Sequence, residues 1–494
     1  MRRRQALRLL AGAAGLPAAR AAGQPHAQAG GPNVLFIITD DQRQDTLGVY
    51  GNPILRTPHV DRIAAEGARF VQSFVTNALC APSRATALTG LYSHAHGVVS
   101  NGAASSPVFR NQPGLRADQP TWPALLRAAG YHTGLVGKWH LRSWPDMFDQ
   151  WVAFTAGGYM DPEVTANGVR LKMRGHSDDV AGDQAVAFLQ QRPRDRPFCL
   201  YLAFKAPHRN WIPPARFQDA LSGVEVPVPR TFEDRLEGKP EALRRAEMAV
   251  ADMPDFRERG VPESLPPEER KRRNLEHLVR NYYRTILAMD ENVGRVLEQL
   301  EKDGSLARTL VVFTSDNGFF LGEYGLYDKR LMYEPSIRVP LLVRLPGRVR
   351  PGLVDETHLV TNVDLFPTLL ELAGVPVPAG RHGRSLVPLL EGRQPAWRDA
   401  FLYEYFEYPG EHCAMKHRGL RTARWKLIHF FEEPQEWELY DLTADPDETR
   451  NLAGRKEHAR TLAELRRRLV SLREELGDRD APGPAPVAPP CRSS

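Results

Sequence analysis

The sequence predicts a large α/β/α sandwich with a mixed, mostly parallel sheet, followed by a smaller C-terminal antiparallel sheet subdomain with a helix. Three observations carry this reading. Short apolar runs end abruptly in polar, chemically capable residues; amphipathic helical patterns separate those runs; and after Leu390 the pattern changes to short alternating strands. The chain of 494 residues is long enough to bury one large core and a smaller appended one.

Four runs define the predicted sheet. Val34 to Ile38 leads into Thr39-Asp40-Asp41, and Thr133 to Val136 leads through Gly137 into Lys138-Trp139-His140. Phe198 to Phe204 runs into Lys205-Ala206-Pro207-His208, and Leu310 to Phe313 ends in Thr314-Ser315-Asp316-Asn317-Gly318. In an open α/β sheet such strands deliver functional groups to one carboxyl edge. Thr57-Pro58 reads as a helix cap with Pro in the first turn, ahead of the apolar stripe Val60, Ile63 and Ala64. Tyr282 to Lys302 repeats apolar residues at helical spacing, a long amphipathic helix feeding the fourth strand. Residues 401–406, 418–423, 425–431 and 436–441 read as strands, and His458 to Glu475 as a charged helix. The expected divisions are 1–31 as an export signal and short linker, 32–395 as the catalytic domain, 396–480 as the C-terminal subdomain and 481–494 as a disordered tail.

Composition narrows the function classes. With 42% hydrophobic and 25% charged residues, neither a disordered nor a fibrous chain is indicated. The net charge of +5 owes part of its excess to Arg2, Arg3 and Arg4, so it does not argue for a nucleic-acid partner. Those arginines precede a mostly apolar Ala/Gly-rich stretch and Ala19-Arg20-Ala21, which reads as a bacterial export signal, leaning toward the twin-arginine route. The expected location is periplasmic or secreted. No later segment approaches the ~20 apolar residues of a membrane span, so stable membrane insertion is not expected. Four cysteines are too few for a disulfide framework or a zinc knuckle. Cys199 reads as inert core, and a pairing of Cys413 with Cys491 stays open.

The chemistry concentrates at the strand ends. Adjacent acids such as Asp40-Asp41 also read as a loop or a cap, but Asp316-Asn317 repeats the arrangement after another buried strand. Two such pairs at one sheet edge would make an all-oxygen cage suited to Ca²⁺ or Mg²⁺. Cys80-Ala81-Pro82-Ser83-Arg84 precedes Ala85 to Leu88, which puts Cys80 at a helix N-terminus, where the helix dipole favours negative charge.

In these residues the chain resembles the type I sulfatases of the alkaline-phosphatase-like superfamily, in which Cys-x-Pro-x-Arg signals oxidation of the cysteine to formylglycine. The resemblance extends in order over about residues 32 to 455, through the Asp40-Asp41 strand end, Cys80 to Gly90, Gly137 to His140, Pro207-His208, Asp316 to Gly318, Lys329 and Glu438 to Leu442. It implies that Asp40, Asp41, Asp316 and Asn317, with the modified residue 80, bind one divalent cation, usually Ca²⁺. It also implies a formylglycine-generating enzyme as partner. Hydrated formylglycine is a geminal diol whose first hydroxyl attacks sulfur and whose second expels sulfate. Arg84, Lys138 and Lys329 match the sulfate-binding cations, His208 the acid for the leaving oxygen, and His140 the base for the diol; Lys205 would contact sulfate or substrate.

The substrate implied is a sulfated small molecule or glycan, with N-acetylglucosamine-6-sulfate or heparan-type sugars favoured by the resemblance around Lys205 to Trp211 and Phe401 to Pro409. The rivals are a formylglycine-dependent phosphonate monoester hydrolase or phosphodiesterase and a non-catalytic binder of sulfated glycans. A zinc phosphatase fits poorly, since Cys80 is wrong for its nucleophile. His94 and His96 read as shaping the turn after the Cys80 helix. Trp211, Tyr327, His382, Glu404, Tyr405 and His412 are candidates for a substrate rim.

Overall fold

The strand Asn33–Thr39 lies at the middle of a ten-stranded sheet, and both of its faces are covered. Leu35 and Ile37 point into one core and Val34, Phe36 and Ile38 into the other. A strand buried on both faces must be apolar throughout, which is why it reads as a continuous run and not as an alternating one. The computed structural model describes residues 30–479 apart from 103–113, 157 and 433–434. The expected export signal as far as residue 29, the expected tail 481–494 and Cys491 within it therefore lie outside the described residues.

Five strands form the parallel centre in the spatial order Gln150–Ala156, His132–Lys138, Phe198–Ala203, Asn33–Thr39 and Thr309–Ser315. Antiparallel strands extend both flanks: Glu163–Ala166 and Val169–Lys172 on one, Leu341–Arg344 on the other, where it pairs with Ala68–Phe70. All four apolar runs predicted from sequence thus lie side by side, and parallel pairing brings their carboxyl ends to one edge.

One face of the sheet is covered by Pro58–Ala65, Ser177–Gln191 and Pro267–Lys302, the other by Cys80–Thr89, Trp122–Ala128 and Leu365–Leu372. The 36-residue helix Pro267–Lys302 starts well before the predicted Tyr282. Its buried stripe continues back through Val279, Leu278 and Leu275, and the charged first turns concealed that periodicity. Thr57 precedes its helix as expected, but its hydroxyl donates to Asp61 Oδ1 (2.9 Å) and accepts the Gly48 N–H (3.0 Å), so it does not cap helical N–H groups.

A four-stranded antiparallel sheet, Ala400–Tyr405, His417–Thr422, Trp425–Phe430 and Glu436–Asp441, follows within a residue of the predicted spans. Alternation sorts its two faces. Phe401, Tyr403 and Tyr405 pack toward Phe74, Leu331 and Tyr333, while Leu402, Leu420, Leu427 and Leu439 pack under Leu465, Leu469 and Leu472 of the helix Ala459–Glu475. The first contact matters for the site, because Leu331 and Tyr333 follow directly on the segment that carries Lys329. Among the described residues no helix is long and apolar enough to cross a membrane.

Candidate active site

The residues that follow the four central strands converge. Asp40 and Asp41 follow Thr39, Lys138 ends its strand, Lys205 and His208 follow Ala203, and Asp316 and Asn317 follow Ser315. Backbone bonds lock these loops to one another: the Asp40 N–H donates to Ala206 O (3.1 Å) and the Asp316 N–H to Thr39 O (3.1 Å). Asp41 and His140 hold left-handed backbone, with φ of 67° and 57°, a conformation that costs free energy at residues other than Gly and collects at functional sites.

Gly137 aims Lys138. Its φ is 105°, and a Cβ placed there would lie 1.8 Å from the Ala203 carbonyl oxygen of the neighbouring strand. Gly137→Ala is therefore expected to lower unfolding free energy by about 3 kcal/mol or more, because backbone and not a flexible side chain must give way. Denaturant unfolding measures this directly.

Cys80 is the first residue of the buried helix Cys80–Thr89, which Gly90 closes in left-handed conformation (φ 65°). The Sγ atom lies 3.5 Å from Asp40 Oδ1, 3.9 Å from Asp41 Oδ1 and 3.2 Å from Lys329 Nζ. Four helical residues on, Arg84 projects to the same centre. Its Nε donates to Asp316 Oδ2 at 2.8 Å, with both side chains fully buried, and its Nη1 donates to Lys138 O at 3.0 Å. Lys138 Nζ donates to Asp40 Oδ2 (2.5 Å), and Lys329 Nζ donates to Asp41 Oδ1. A ring nitrogen of His208, Cys80 Sγ and an Asp40 oxygen lie within 4.8 Å of one another. His208 Nδ1 is 2.7 Å from Arg209 O, so in the tautomer that donates there Nε2 is left toward the centre, 3.8 Å from Asp41 Oδ2.

Charge is crowded here. Burial raises Asp41 to about 7, with Asp40 and Asp316 adding to the rise and Lys329 opposing it. Burial also raises Asp316, reinforced by Asp40. For Asp40 burial works in the same sense, but Lys138, His208, Arg84 and Lys329 outweigh it and hold the carboxyl well below the usual range. The Cys80 thiol is pushed up to about 12 by burial, against Lys138 and Lys329. As encoded it is a thiol and a poor nucleophile at neutral pH. Burial, followed by Lys138 for His140, drives both His140 and His208 well below the ordinary imidazole value.

The donor set fits a hard divalent cation. Asp40, Asp41 and Asp316 each place a carboxylate oxygen within 4.8 Å of the others. Among the described residues, the buried Asp41 Oδ2 and Asn317 Oδ1 have no hydrogen-bond partner. Buried acceptors are rarely left unpaired, and oxygen atoms without nitrogen or thiolate ligands suit Ca²⁺ or Mg²⁺. The Arg84 Nη2, also buried, makes no hydrogen bond of good geometry among the described residues, and the Tyr201 hydroxyl lies beside the guanidinium.

Lys205 is held differently, with its ammonium 5.3 Å over the Tyr159 ring and its pKa lowered by burial and by Lys138. His140 lies in the field of Lys138, Asp40, Arg84 and Lys329, although no hydrogen bond joins it to Cys80 among the described residues. His94 and His96 turn elsewhere, His94 to Glu404 (2.5 Å) and His96 to Thr86 (3.0 Å). Of the rim candidates, Trp211 is fully buried against Phe256 and Phe319, Tyr405 is core, Glu404 is engaged by His94, and His382 stacks on His94. Tyr327 and His412 line a cavity of about 1460 Å³. His412 Nε2 is 3.2 Å from Asp328, the residue before Lys329.

Supporting residues went unread in the sequence. Tyr159 donates to His208 O (2.7 Å), Asp178 accepts the N–H groups of Lys205 (3.0 Å) and Ala206 (3.3 Å), and Tyr282 donates to Asp41 O. Asp178 sits in the first turn of its helix and Tyr282 on an apolar stripe, so each has a sufficient local explanation and gives no separate signal.

The structure brings the cysteine at a helix start together with three carboxylates and three cations at a parallel-sheet edge. A family profile described as Sulfatase matches residues 32–375. The chain belongs to the sulfatase family. A second profile, N-sulphoglucosamine sulphohydrolase, C-terminal, matches residues 322–475 of this sulfatase. It is 38% identical over 498 residues to an N-acetylglucosamine-6-O-sulfatase of Bacteroides thetaiotaomicron, covering 91% of this chain and 87% of that one. It is 31% identical to the N-acetylglucosamine-6-sulfatase of Homo sapiens, over 85% and 81% of the two chains. A solved structure of a protein in complex with its substrate D-glucosamine-2-N,6-O-disulfate is 36% identical, with a TM-score of 0.83 over 91% of this chain and 99% of that one. The sulfatase is an enzyme, a sulfuric ester hydrolase on the alkaline-phosphatase-like α/β fold.

Proposed function

We propose that this sulfatase removes the 6-O-sulfate of a glucosamine sugar, N-acetylglucosamine-6-sulfate or a heparan-type residue, using a nucleophile made from Cys80. The observation that carries the nucleophile is the position of residue 80, within 4 Å of Asp40, Asp41 and Lys329 at once. The substrate class rests on the likeness to proteins named for that sugar.

Oxidation of Cys80 to formylglycine by a maturation enzyme supplies a carbonyl whose hydrate offers a nucleophilic hydroxyl and a second one for release. Asp40, Asp41, Asp316 and Asn317, with residue 80, would hold one Ca²⁺ or Mg²⁺, which when bound supplies Lewis acidity toward hydroxyl and sulfate oxygens. The remaining roles belong to side chains. Arg84, Lys138 and Lys329 bind the sulfate oxygens and disperse charge as the ester bond breaks. His208 delivers a proton to the departing sugar oxygen from Nε2, steadied by the Nδ1 bond to Arg209 O. His140 accepts the proton lost at residue 80, and Lys205 contacts the substrate.

His208→Ala is expected to lower kcat on the sugar sulfate by about 10²- to 10⁴-fold. On an aryl sulfate whose phenolate leaves unaided, the loss shrinks toward tenfold or less. Equal losses on both substrates would remove His208 from the acid role.

Residues 32–395 as catalytic domain, 396–480 as C-terminal subdomain, and export directed by residues 1–31 complete the proposal. The deciding experiment is turnover on a panel of N-acetylglucosamine-6-sulfate, other positional sulfates, an aryl sulfate and a phosphonate monoester. Preference for the phosphonate would favour the rival chemistry, and preference for another sulfate position would overturn the sugar assignment.

A further inference from the structure

Two surface depressions of about 430 and 480 Å³ lie along the outer side of the helix Ala459–Glu475, and Arg466 borders both. Arg455 and Lys456 line the first, Arg418 and Arg473 the second, and no carboxylate lines either among the described residues. Other depressions on this protein mix signs freely: the one bordered by Tyr327 also holds Glu241, Glu247, Asp252 and Glu263. One-signed cation lining along a helix is not needed for folding, because like charges on one face repel.

Arg466 has a built setting. Its guanidinium carbon lies 4.0 Å from the centroid of the Trp437 ring, and Trp437 is stacked in parallel on His429 at 3.8 Å. Stacking fixes the guanidinium plane and leaves its N–H edges for an acceptor, so little side-chain entropy remains to be lost on binding. Arg466 makes no ion pair among the described residues. At the other end Arg473 (2.5 Å) and Arg418 (3.6 Å) pair with Asp478, so the one-signed face rests on Arg455, Lys456 and Arg466, which line the depressions with no ion pair among the described residues. Val470, 52% exposed, supplies an apolar floor in the second depression. From Lys456 to Arg473 the helix axis runs roughly 25 Å at 1.5 Å per residue, a length for several sugar units.

We infer that this face is a second, non-catalytic binding site for a sulfated polysaccharide, holding the polymer while its end is processed elsewhere on the same molecule. Planar guanidinium groups match sulfate and carboxylate oxygens two at a time, and sugar ring faces cover Val470. The occupant rests on the proposed sulfated-sugar substrate, but the site shares no residue with the catalytic centre.

Immobilised heparin tests it. Arg466→Glu is expected to elute at clearly lower salt than wild type and to bind heparin about tenfold more weakly in solution. The matched control, Arg230→Glu at a 91% exposed position, should elute close to wild type, and neither change should alter turnover of monosaccharide sulfate. Lys456→Glu provides a second variant and should act in the same direction. Elution of Arg466→Glu with wild type, or equal shifts for Arg466→Glu and Arg230→Glu, overturns the site. Displacement by inorganic polyphosphate as efficient as by heparin at equal charge overturns the glycan assignment. Absence of monosaccharide turnover in the wild type would sink the proposed catalytic substrate while heparin elution still reads the second site.

Discussion

Cys80→Ser is expected to abolish multiple turnover, a loss of roughly 10⁴-fold or more, while the melting temperature stays within about 2 °C of the parent. The substitution keeps a small polar atom at a fully buried helix start, so folding has no reason to fail. A serine hydroxyl could accept the sulfuryl group, but it carries no second hydroxyl with which to expel it. Intact mass should therefore show one sulfuryl group retained on the variant after exposure to substrate. Cys80→Ala should show neither turnover nor retention. Mass spectrometry of the peptide holding residue 80 in the active enzyme should find the aldehyde, and an active enzyme whose residue 80 is entirely thiol would refute the mechanism.

Arg84→Met carries the second large effect, this time on both folding and chemistry. The Arg84 guanidinium and the Asp316 carboxylate meet at 2.8 Å with neither side chain exposed. Removing one partner of such a pair leaves a buried charge uncompensated, which costs about 3–5 kcal/mol. In the proposed mechanism the same change also deletes a donor to the sulfate oxygens, worth about 10²- to 10³-fold in kcat. Urea unfolding and sulfate-ester turnover should thus fall together. If divalent cation binds at Asp316, saturating Ca²⁺ should restore part of the lost stability and none of the lost kcat, which separates the two roles of Arg84. Unchanged stability in the cation-free protein would show that Asp316 is not charged there.

Arg84 also shows how far local pattern reached. Its place one helical turn beyond Cys80 is visible in the sequence, and so is the apolar run that ends at Ser315. That the two meet is not visible, because 232 positions separate Arg84 from Asp316. Asn317 donates to Asp41 at 2.7 Å across 276 positions. Which cation serves which carboxylate was therefore open until the strands were placed in order.

The ambiguity at Trp211 has the same origin. An aromatic residue just beyond His208 reads equally as a substrate rim or as core, since both uses place an apolar ring near a strand end. Only the packing of Phe256 and Phe319 on either side of it selects the second. The early start of Pro267–Lys302 is a milder case: Leu275, Leu278 and Val279 continue the stripe, but the highly charged first turns dilute it.

The sequence by itself determined the position of the proposed nucleophile, the four strands that surround it, the sheet class, and the residue types gathered at its edge. Burial and periodicity are written in neighbouring residues, so short windows contain them. Tertiary structure alone decided the left-handed turn at Asp41, the pairing of Lys138 with Asp40 and Lys329 with Asp41, the support from Tyr159 and Asp178, and the cation face around Arg466. Each of these depends on atoms brought together from distant parts of the chain by parallel strand order and sheet packing, and no local window holds that information.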